Sequence, residues 1–84
     1  MPEDYYLLEK YLRQLPLEQE DVTLAFENIE QILNEPLPAS AREDGPWWEN
    51  QKPGLWVESL PWMDAGWMVE IVDYGEKWVR FVRQ

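Results

Sequence analysis

The side chains best suited to recognising a ligand are tryptophans that lie close to acidic residues. Five of the six tryptophans fall between Pro36 and Trp67. The set of interest is Trp47, Trp48, Trp56 and Trp62, with Glu43, Asp44 and Glu49 nearby in the sequence. Aromatic faces beside carboxylates can enclose a methylated cation, and aromatic faces alone can stack on a nucleic-acid base. The alternative is that these rings fill a small core, because each tryptophan can bury roughly 150–250 Å².

Two polar side chains flank the adjacent tryptophans. Arg42 and Asn50 could bind the polar edge of a ligand, although Arg stacked on Trp and Asn bonded to loop backbone are more ordinary roles. In an extended segment the neighbouring rings would point to opposite sides, so either one is exposed or the segment lies between two packed layers. The candidate binding residues are therefore Arg42, Trp47, Trp48, Asn50 and Trp56.

The composition excludes the commonest catalytic and metal-binding groups. The chain has no His and no Cys, so the usual nucleophile–base pairs and thiolate or imidazole metal sites are unavailable to it. Its four glycines are isolated, and neither a phosphate-binding loop nor a calcium loop is present. The neighbouring carboxylates of Glu43 and Asp44 could act as acid and base beside Trp47, but a solvated surface is the better interpretation. We expect no catalytic residue, no metal site and no cofactor.

The charge of the chain is strongly negative and uneven. The formal net charge is −10; residues 1–35 hold nine acidic and two basic residues, and residues 36–84 hold eight and five. Nonspecific binding to nucleic acid depends on Lys and Arg, so DNA or RNA binding would require a local basic patch. Lys77, Arg80 and Arg83 come close to one, but strand alternation places Arg80 opposite the other two. We expect these residues to protect a strand edge with charge.

Length and composition predict a single soluble domain, residues 1–84, in the cytoplasm. Eighty-four residues provide one small core at most. The absence of cysteine suits a reducing compartment. No apolar run approaches the length of a bilayer span, and the acidic N-terminus differs from a secretion signal.

Helical patterns dominate the first half of the chain. Residues 4–14 carry an apolar stripe at three- and four-residue spacing, which predicts an amphipathic helix that ends before Pro16. A short strand around Val22 then leads into a second helix, from Glu27 to Leu33. Proline in the first turn predicts a further short helix from Pro38 to Arg42.

The second half ends in a predicted β-hairpin. Ser59 is placed to cap a short helix that starts near Pro61 and ends at Gly66, where glycine tolerates a left-handed conformation. Trp67 to Asp73 and Lys77 to Arg83 are predicted strands, with Trp67, Val69 and Ile71 on one face. The turn between them contains Gly75, which we expect to supply the positive φ. The fold class is α+β, with N-terminal helices, a short strand and a C-terminal β-hairpin.

Several short strings, taken together, resemble a small prokaryotic domain of unknown function. They are Ala25-Phe26-Glu27-Asn28-Ile29-Glu30, Leu37-Pro38-Ala39-Ser40-Ala41-Arg42, Trp47-Trp48-Glu49-Asn50 and Ala65-Gly66-Trp67. The resemblance spans nearly the whole chain and implies no particular activity. This chain departs from the family pattern at Ala25, where a Thr or Ser is expected, and so lacks a capping hydroxyl worth about 1 kcal/mol. It is also acidic at residues 43–44, where the family tends to be basic, and altered between Asn50 and Ala65.

The order of elements also resembles a winged helix, in which a helix and strand precede a helix-turn-helix and a hairpin forms the wing. Phe26 to Leu33 would be the first helix of the pair, and Tyr74 to Glu76 the wing tip. No long helix with a basic face lies between Ser40 and Gly66 to act as a recognition helix.

These observations favour a non-catalytic module that binds a macromolecule. We expect a protein partner, contacted through the tryptophan-rich loop or an acidic surface. The alternatives are a nucleic-acid-associated winged helix in a regulatory or defence system, and an acidic mimic of DNA. If the domain has a site, the sequence places it between Glu43 and Trp56.

Overall fold

Four short helices and three strands make up the described part of the protein. The computed structural model describes residues 5–43, 46–50 and 60–84. The helices are α1 (Tyr6–Arg13), α2 (Phe26–Leu33), α3 (Ala39–Arg42) and α4 (Pro61–Asp64), and a 3₁₀ turn spans Pro46–Trp48. The strands are β1 (Asp21–Ala25), β2 (Trp67–Asp73) and β3 (Trp78–Arg83). The predicted α+β class and C-terminal hairpin are confirmed.

The two longer helices form where the apolar stripes predict them. In α1, Leu8 and Leu12 are fully buried, and Tyr5 just before the helix is 3% exposed. In α2, Phe26, Ile29 and Leu33 face the core. Ala25 occupies the N-cap position of α2 without a side-chain cap. The Asn28 side chain provides one hydrogen bond at this helix start, because its Oδ1 accepts the Ala25 N–H at 3.1 Å.

The short helices differ slightly from their predicted limits. Asn34 ends α2 in the left-handed conformation, at φ 61°, which asparagine tolerates well. Pro38 is the residue before α3 and not part of its first turn. Leu60 is the N-cap of α4, and the predicted cap Ser59 lies outside the described residues. Gly66 has φ +87°, as predicted for the end of that helix.

The sheet is antiparallel, with β3 between β1 and β2. The prediction that the basic residues of β3 guard a strand edge is therefore wrong, since β3 is the central strand. Val79 and Phe81 of β3 face the helices and are fully buried.

A β-bulge breaks the alternation predicted for β2. The pairing shifts between Val69, which lies opposite Phe81, and Ile71, which lies opposite Arg80. One extra residue moves the following side chains to the other face, so Val72 points inward and Ile71 is 49% exposed. The expectation that Ile71 shares the face of Trp67 and Val69 is wrong for this reason.

The hairpin turn uses a different positive-φ residue from the one predicted. Lys77 has φ 62°, and Gly75 is not among the residues with positive φ. The Lys77 N–H donates to the Asp73 carbonyl at 2.7 Å, and the Asp73 carboxylate accepts the Glu76 N–H at 2.8 Å. The aspartate side chain thus sets the bend, and Lys77 supplies the left-handed step back into β3.

One core joins the helices to a single face of the sheet. Its largest fully buried side chains come from α4, the strands and the first two helices: Trp62, Trp67, Phe26, Phe81, Leu8, Leu12, Ile29, Leu33 and Val79. Within the described residues, no helix has the length and apolarity needed to cross a membrane.

Candidate functional site

The adjacent tryptophans lie in a 3₁₀ turn and not in an extended segment. Their ring centroids are 4.6 Å apart with the planes at 67°. Trp48 is 3% exposed, and Trp47 is half-buried. The turn brings both rings to the core, so the opposite orientations expected of an extended segment do not arise.

Trp48 packs at the centre of an aromatic cluster, which also contains Phe26, Trp62 and Phe81. Its ring stacks on Phe26 at 6.2 Å between centroids and lies 5.5 Å from Trp62. The indole N–H donates to the Ala41 carbonyl at 2.9 Å. The ring and the indole N–H of Trp48 are therefore both occupied by groups inside the domain.

Trp47 is the tryptophan of the pair that still reaches the surface. Its ring packs against Tyr5, with 5.5 Å between centroids. Burial, and secondarily the carboxylate of Glu35, raises the pKa of the Tyr5 hydroxyl. Tyr5 is 3% exposed, so Trp47 supplies the accessible ring of this pair, and it stays a candidate binding residue.

Asn50 bonds to both Trp62 and the edge of β2. Its Oδ1 accepts the Trp62 indole N–H at 2.9 Å and the Val69 N–H at 3.0 Å. Its Nδ2 donates to the Val69 carbonyl at 2.8 Å. The carboxamide thus pairs with Val69 as a neighbouring strand would, immediately before the bulge. The sequence left open a bond to loop backbone beside ligand recognition; the observed backbone partner is instead a residue of strand β2.

Arg42 connects α3 to α2. Its guanidinium forms an ion pair with Glu30, and its Nε donates to the Leu37 carbonyl at 3.4 Å. Glu30 also accepts the Leu37 N–H at 2.8 Å. The Leu37 N–H, and secondarily Arg42, hold the pKa of the Glu30 carboxyl below its usual value. Arg42 stacks on none of the tryptophans that the structure describes.

The remaining predicted site residues differ in their exposure, and two of them are not described. Trp56 and Asp44 lie outside the described residues. Glu43 and Glu49 are exposed. Trp62 is fully buried in the aromatic cluster. Of the rings that could enclose a cation, those in the described part of the chain are buried except for Trp47, which is half-exposed.

Arg80 and Arg83 are separated, as strand alternation predicts. Arg80 forms ion pairs with Glu70 at 2.6 Å and Asp21 at 3.1 Å. Arg83 lies over the Trp67 ring, 4.3 Å from its centroid, and donates to the Gln19 and Pro16 carbonyls at 2.9 and 2.7 Å.

Arg13 completes the set of arginines. It forms an ion pair with Glu9 at 2.7 Å and donates to the Asp64 carbonyl at 2.6 Å. All four arginines of the chain, Arg13, Arg42, Arg80 and Arg83, therefore bond to groups of the domain itself.

A groove that the sequence did not predict lies between α1, α2 and β1. Its volume is about 460 Å³, and its lining is Tyr11, Leu24, Asn28, Gln31 and Ile32. The only sequence signal was the wide apolar stripe of α1, in which Tyr11 extends beyond the core positions. Across the described segments, no three acidic side chains gather in a way that could hold a metal ion.

The model of a domain of unknown function (DUF7662) matches residues 5–84. The chain belongs to this family. No curated protein and no solved structure matches the chain. The DUF7662 match agrees with the expected small domain of unknown function, and the family description names no activity.

Proposed function

We propose that this DUF7662 domain is a non-catalytic cytoplasmic module that binds a protein partner through its acidic surface. The observation that carries the proposal is that the arginines are bonded within the domain, whereas most of the described acids form no ion pair. All four arginines bond within the domain. Nine of the described acids form no ion pair with a described residue: Glu18, Glu20, Glu27, Glu35, Glu43, Glu49, Asp64, Asp73 and Glu76.

The charges of the described residues that are left without an ion pair are mainly negative. Three arginines locally offset the carboxylates they pair with, and the described bases without an ion pair are Lys10, Lys77 and Arg83. The uncompensated carboxylates then determine the field outside the domain, and such a field favours encounter with a basic partner.

The burial of the tryptophans supports the acidic surface over the tryptophan-rich loop as the contact. Trp48, Trp62 and Trp67 are at most 3% exposed, and a buried ring cannot contact a partner without unfolding. Trp47 is half-buried and would lie at the rim of any contact. Trp56 keeps its place as a predicted contact residue.

The proposal assigns no reaction to the domain. General acid–base and nucleophilic mechanisms most often use His or Cys, and the chain has neither. The carboxylates that remain are mostly exposed and serve as surface charge.

A nucleic-acid-associated winged helix is the second candidate. The order of helices and strands supports it, and so does the position of the hairpin as a possible wing. Phosphate contacts, however, require Lys or Arg that are available at the surface. The arginines have internal partners, which leaves Lys10 and Lys77 as the exposed, unpaired bases of the described residues. An acidic mimic of DNA shares the surface charge with the leading proposal and differs in its partner, which would be a DNA-binding protein.

Co-purification with a tagged 84-residue chain, followed by mass spectrometry, tests the proposal. We expect a protein partner to be recovered at low salt and lost from a bait in which Glu18, Glu20, Glu27 and Glu35 are replaced by Gln. A Trp47→Ala bait is the matched control and should retain the partner. Loss of the partner from the Trp47→Ala bait alone would instead place the contact at the tryptophan-rich segment.

A fluorescence titration with duplex and single-stranded DNA separates the two candidates. The leading proposal predicts no binding at about 50 mM salt. Salt-sensitive binding at that concentration, with no recovered protein partner, would favour the winged-helix alternative.

A further inference from the structure

The outer edge of β1 leaves the backbone N–H and C=O of Thr23 open. Among the described strands, β1 pairs only with β3. The Arg83 N–H donates to the Glu20 carbonyl, and the Phe26 N–H donates to the Lys77 carbonyl, at 3.0 and 2.8 Å. Antiparallel pairs alternate between hydrogen-bonded and non-hydrogen-bonded. The N–H and C=O of Thr23, midway between Glu20 and Phe26, therefore point away from β3.

Side chains cover this edge on both sides of Thr23. The Gln19 carboxamide donates to the Asp21 carbonyl at 3.0 Å, and Asn28 accepts the Ala25 N–H at 3.1 Å. No group in the described segments bonds to the N–H or C=O of Thr23, which is exposed. An added strand could exchange both hydrogen bonds with it, as extended peptides do at open sheet edges.

The groove adjoins this open edge. Leu24 and Asn28 line it, and Asn28 also bonds to the edge strand at Ala25. Side chains of residues directly opposite each other project from the same face of a sheet. A residue paired with Leu24 would therefore direct its side chain to the inner face, between Tyr11 and Ile32. The apolar part of the lining suits an aliphatic side chain.

The surrounding charge indicates a basic occupant. Glu18 and Glu20 precede β1, and Glu27 follows it. On the outer face, Arg80 lies opposite Thr23, but Asp21 and Glu70 already bond to its guanidinium. Lys or Arg at alternate positions of an added strand would meet this acidic field.

We propose that the β1 edge and its groove bind an extended basic segment of a protein partner as a fourth strand of the sheet. The residue paired with Thr23 exchanges two backbone hydrogen bonds with it, and the residue paired with Leu24 is aliphatic and fills the groove. A second copy of this chain is disfavoured as the occupant, because two chains of net charge −10 repel each other. This inference rests on the proposed protein-binding function and specifies its site.

The probe is a seven-residue peptide of alternating Lys and Leu, acetylated and amidated at its ends. Titration into the ¹⁵N-labelled chain should shift the Thr23 amide and the signals of Tyr11 and Ile32 saturably below about 1 mM. The Thr23 amide should also exchange more slowly with solvent. Peptide N-methylated at its lysines should bind at least about tenfold more weakly, since the N–H that reaches Thr23 is blocked. The matched peptide N-methylated at its leucines should bind almost as well as the parent.

A pair of protein variants provides an independent readout. Thr23→Pro removes the outward N–H without removing a ladder hydrogen bond, and should weaken peptide binding at least about fivefold. Thr23→Val keeps the N–H and should bind like the parent chain. If Thr23→Pro fails to fold, the N-methylated peptides still decide the question.

Three outcomes would overturn this assignment. They are absence of saturable shifts at Thr23, equal binding of both N-methylated peptides, and dimerisation of the chain with the same shifts. A protein partner that maps elsewhere on the acidic surface would overturn the β1 site and leave the proposed function in place. DNA binding with no protein partner would overturn the proposed function itself.

Discussion

Replacing Asn50 with alanine should destabilise the domain severely. The side chain provides the hydrogen-bond partners of the Trp62 indole N–H and of both backbone groups of Val69, at 2.8–3.0 Å. Trp62 is fully buried, so water cannot easily replace the lost acceptor, and an unsatisfied buried donor costs about 1–3 kcal/mol. Water can partly compensate Val69, which is half-buried. The expected total loss is about 2–4 kcal/mol, a large share of the stability of a domain this small.

Urea denaturation followed by tryptophan fluorescence measures this loss. Glu49→Ala, a change at the exposed neighbouring residue, is the control and should alter the free energy of unfolding by less than about 0.5 kcal/mol. Asn50→Asp keeps the acceptor oxygens but loses the donor to the Val69 carbonyl, so its cost should lie between those of the other two variants. If Asn50→Ala costs less than about 0.5 kcal/mol, Asn50 is not a structural residue, and ligand recognition becomes its better explanation.

Three further predictions follow from local geometry. Lys77→Gly should stabilise the domain by about 0.5–1 kcal/mol in thermal denaturation, because glycine adopts the observed φ of 62° without strain; unchanged or lower stability would show that the turn differs. The lowered pKa of Glu30 means that its stabilising contribution is present above its unfolded pKa of about 4.3 and is lost as the pH falls through the folded value. Urea titrations at successive pH values should therefore show a smaller loss of stability on acidification for Glu30→Gln, and an identical loss would contradict the assigned bonds. Trp48→Ala should cost about 3–5 kcal/mol and Trp47→Ala clearly less; equal costs would contradict their different burial.

The sequence predicted the elements whose signal is local. The stripe of α1 and the alternation within β3 each repeat at the period of their own backbone, so Leu8, Leu12, Val79 and Phe81 are buried as expected. Gly66 also followed its local rule, since few other residues tolerate φ +87° at a helix end.

Features that depend on distant partners were not predictable in the same way. The bulge between Val69 and Ile71 appears only once β2 is paired with β3. The positive φ of Lys77 arises because the Asp73 side chain already bends the chain. A short apolar run carries no information on either, and glycine at position 75 gave a misleading signal.

The candidate site shows the same division. The sequence singled out Trp48 and Asn50 as candidate binding residues, but their type did not decide between recognition and packing. That decision depends on Trp62 and Val69, which lie 12 and 19 residues away from Asn50 in the chain. The open edge at Thr23 could not be predicted, because an edge strand is defined by the topology of the whole sheet.

We propose that the tryptophan-rich loop belongs to the core and that the acidic surface makes the functional contact. Hydrogen exchange of the indole N–H groups tests this most directly. The indole N–H groups of Trp48, Trp62 and Trp67 donate to the Ala41 carbonyl, Asn50 and the Leu12 carbonyl at 2.9–3.2 Å. Two-dimensional NMR in deuterated solvent should show these three protons exchanging only on global unfolding, and the half-buried Trp47 exchanging much earlier. Rapid exchange of all three would mean that the rings are accessible in the folded domain, and would return the candidate site to the tryptophans.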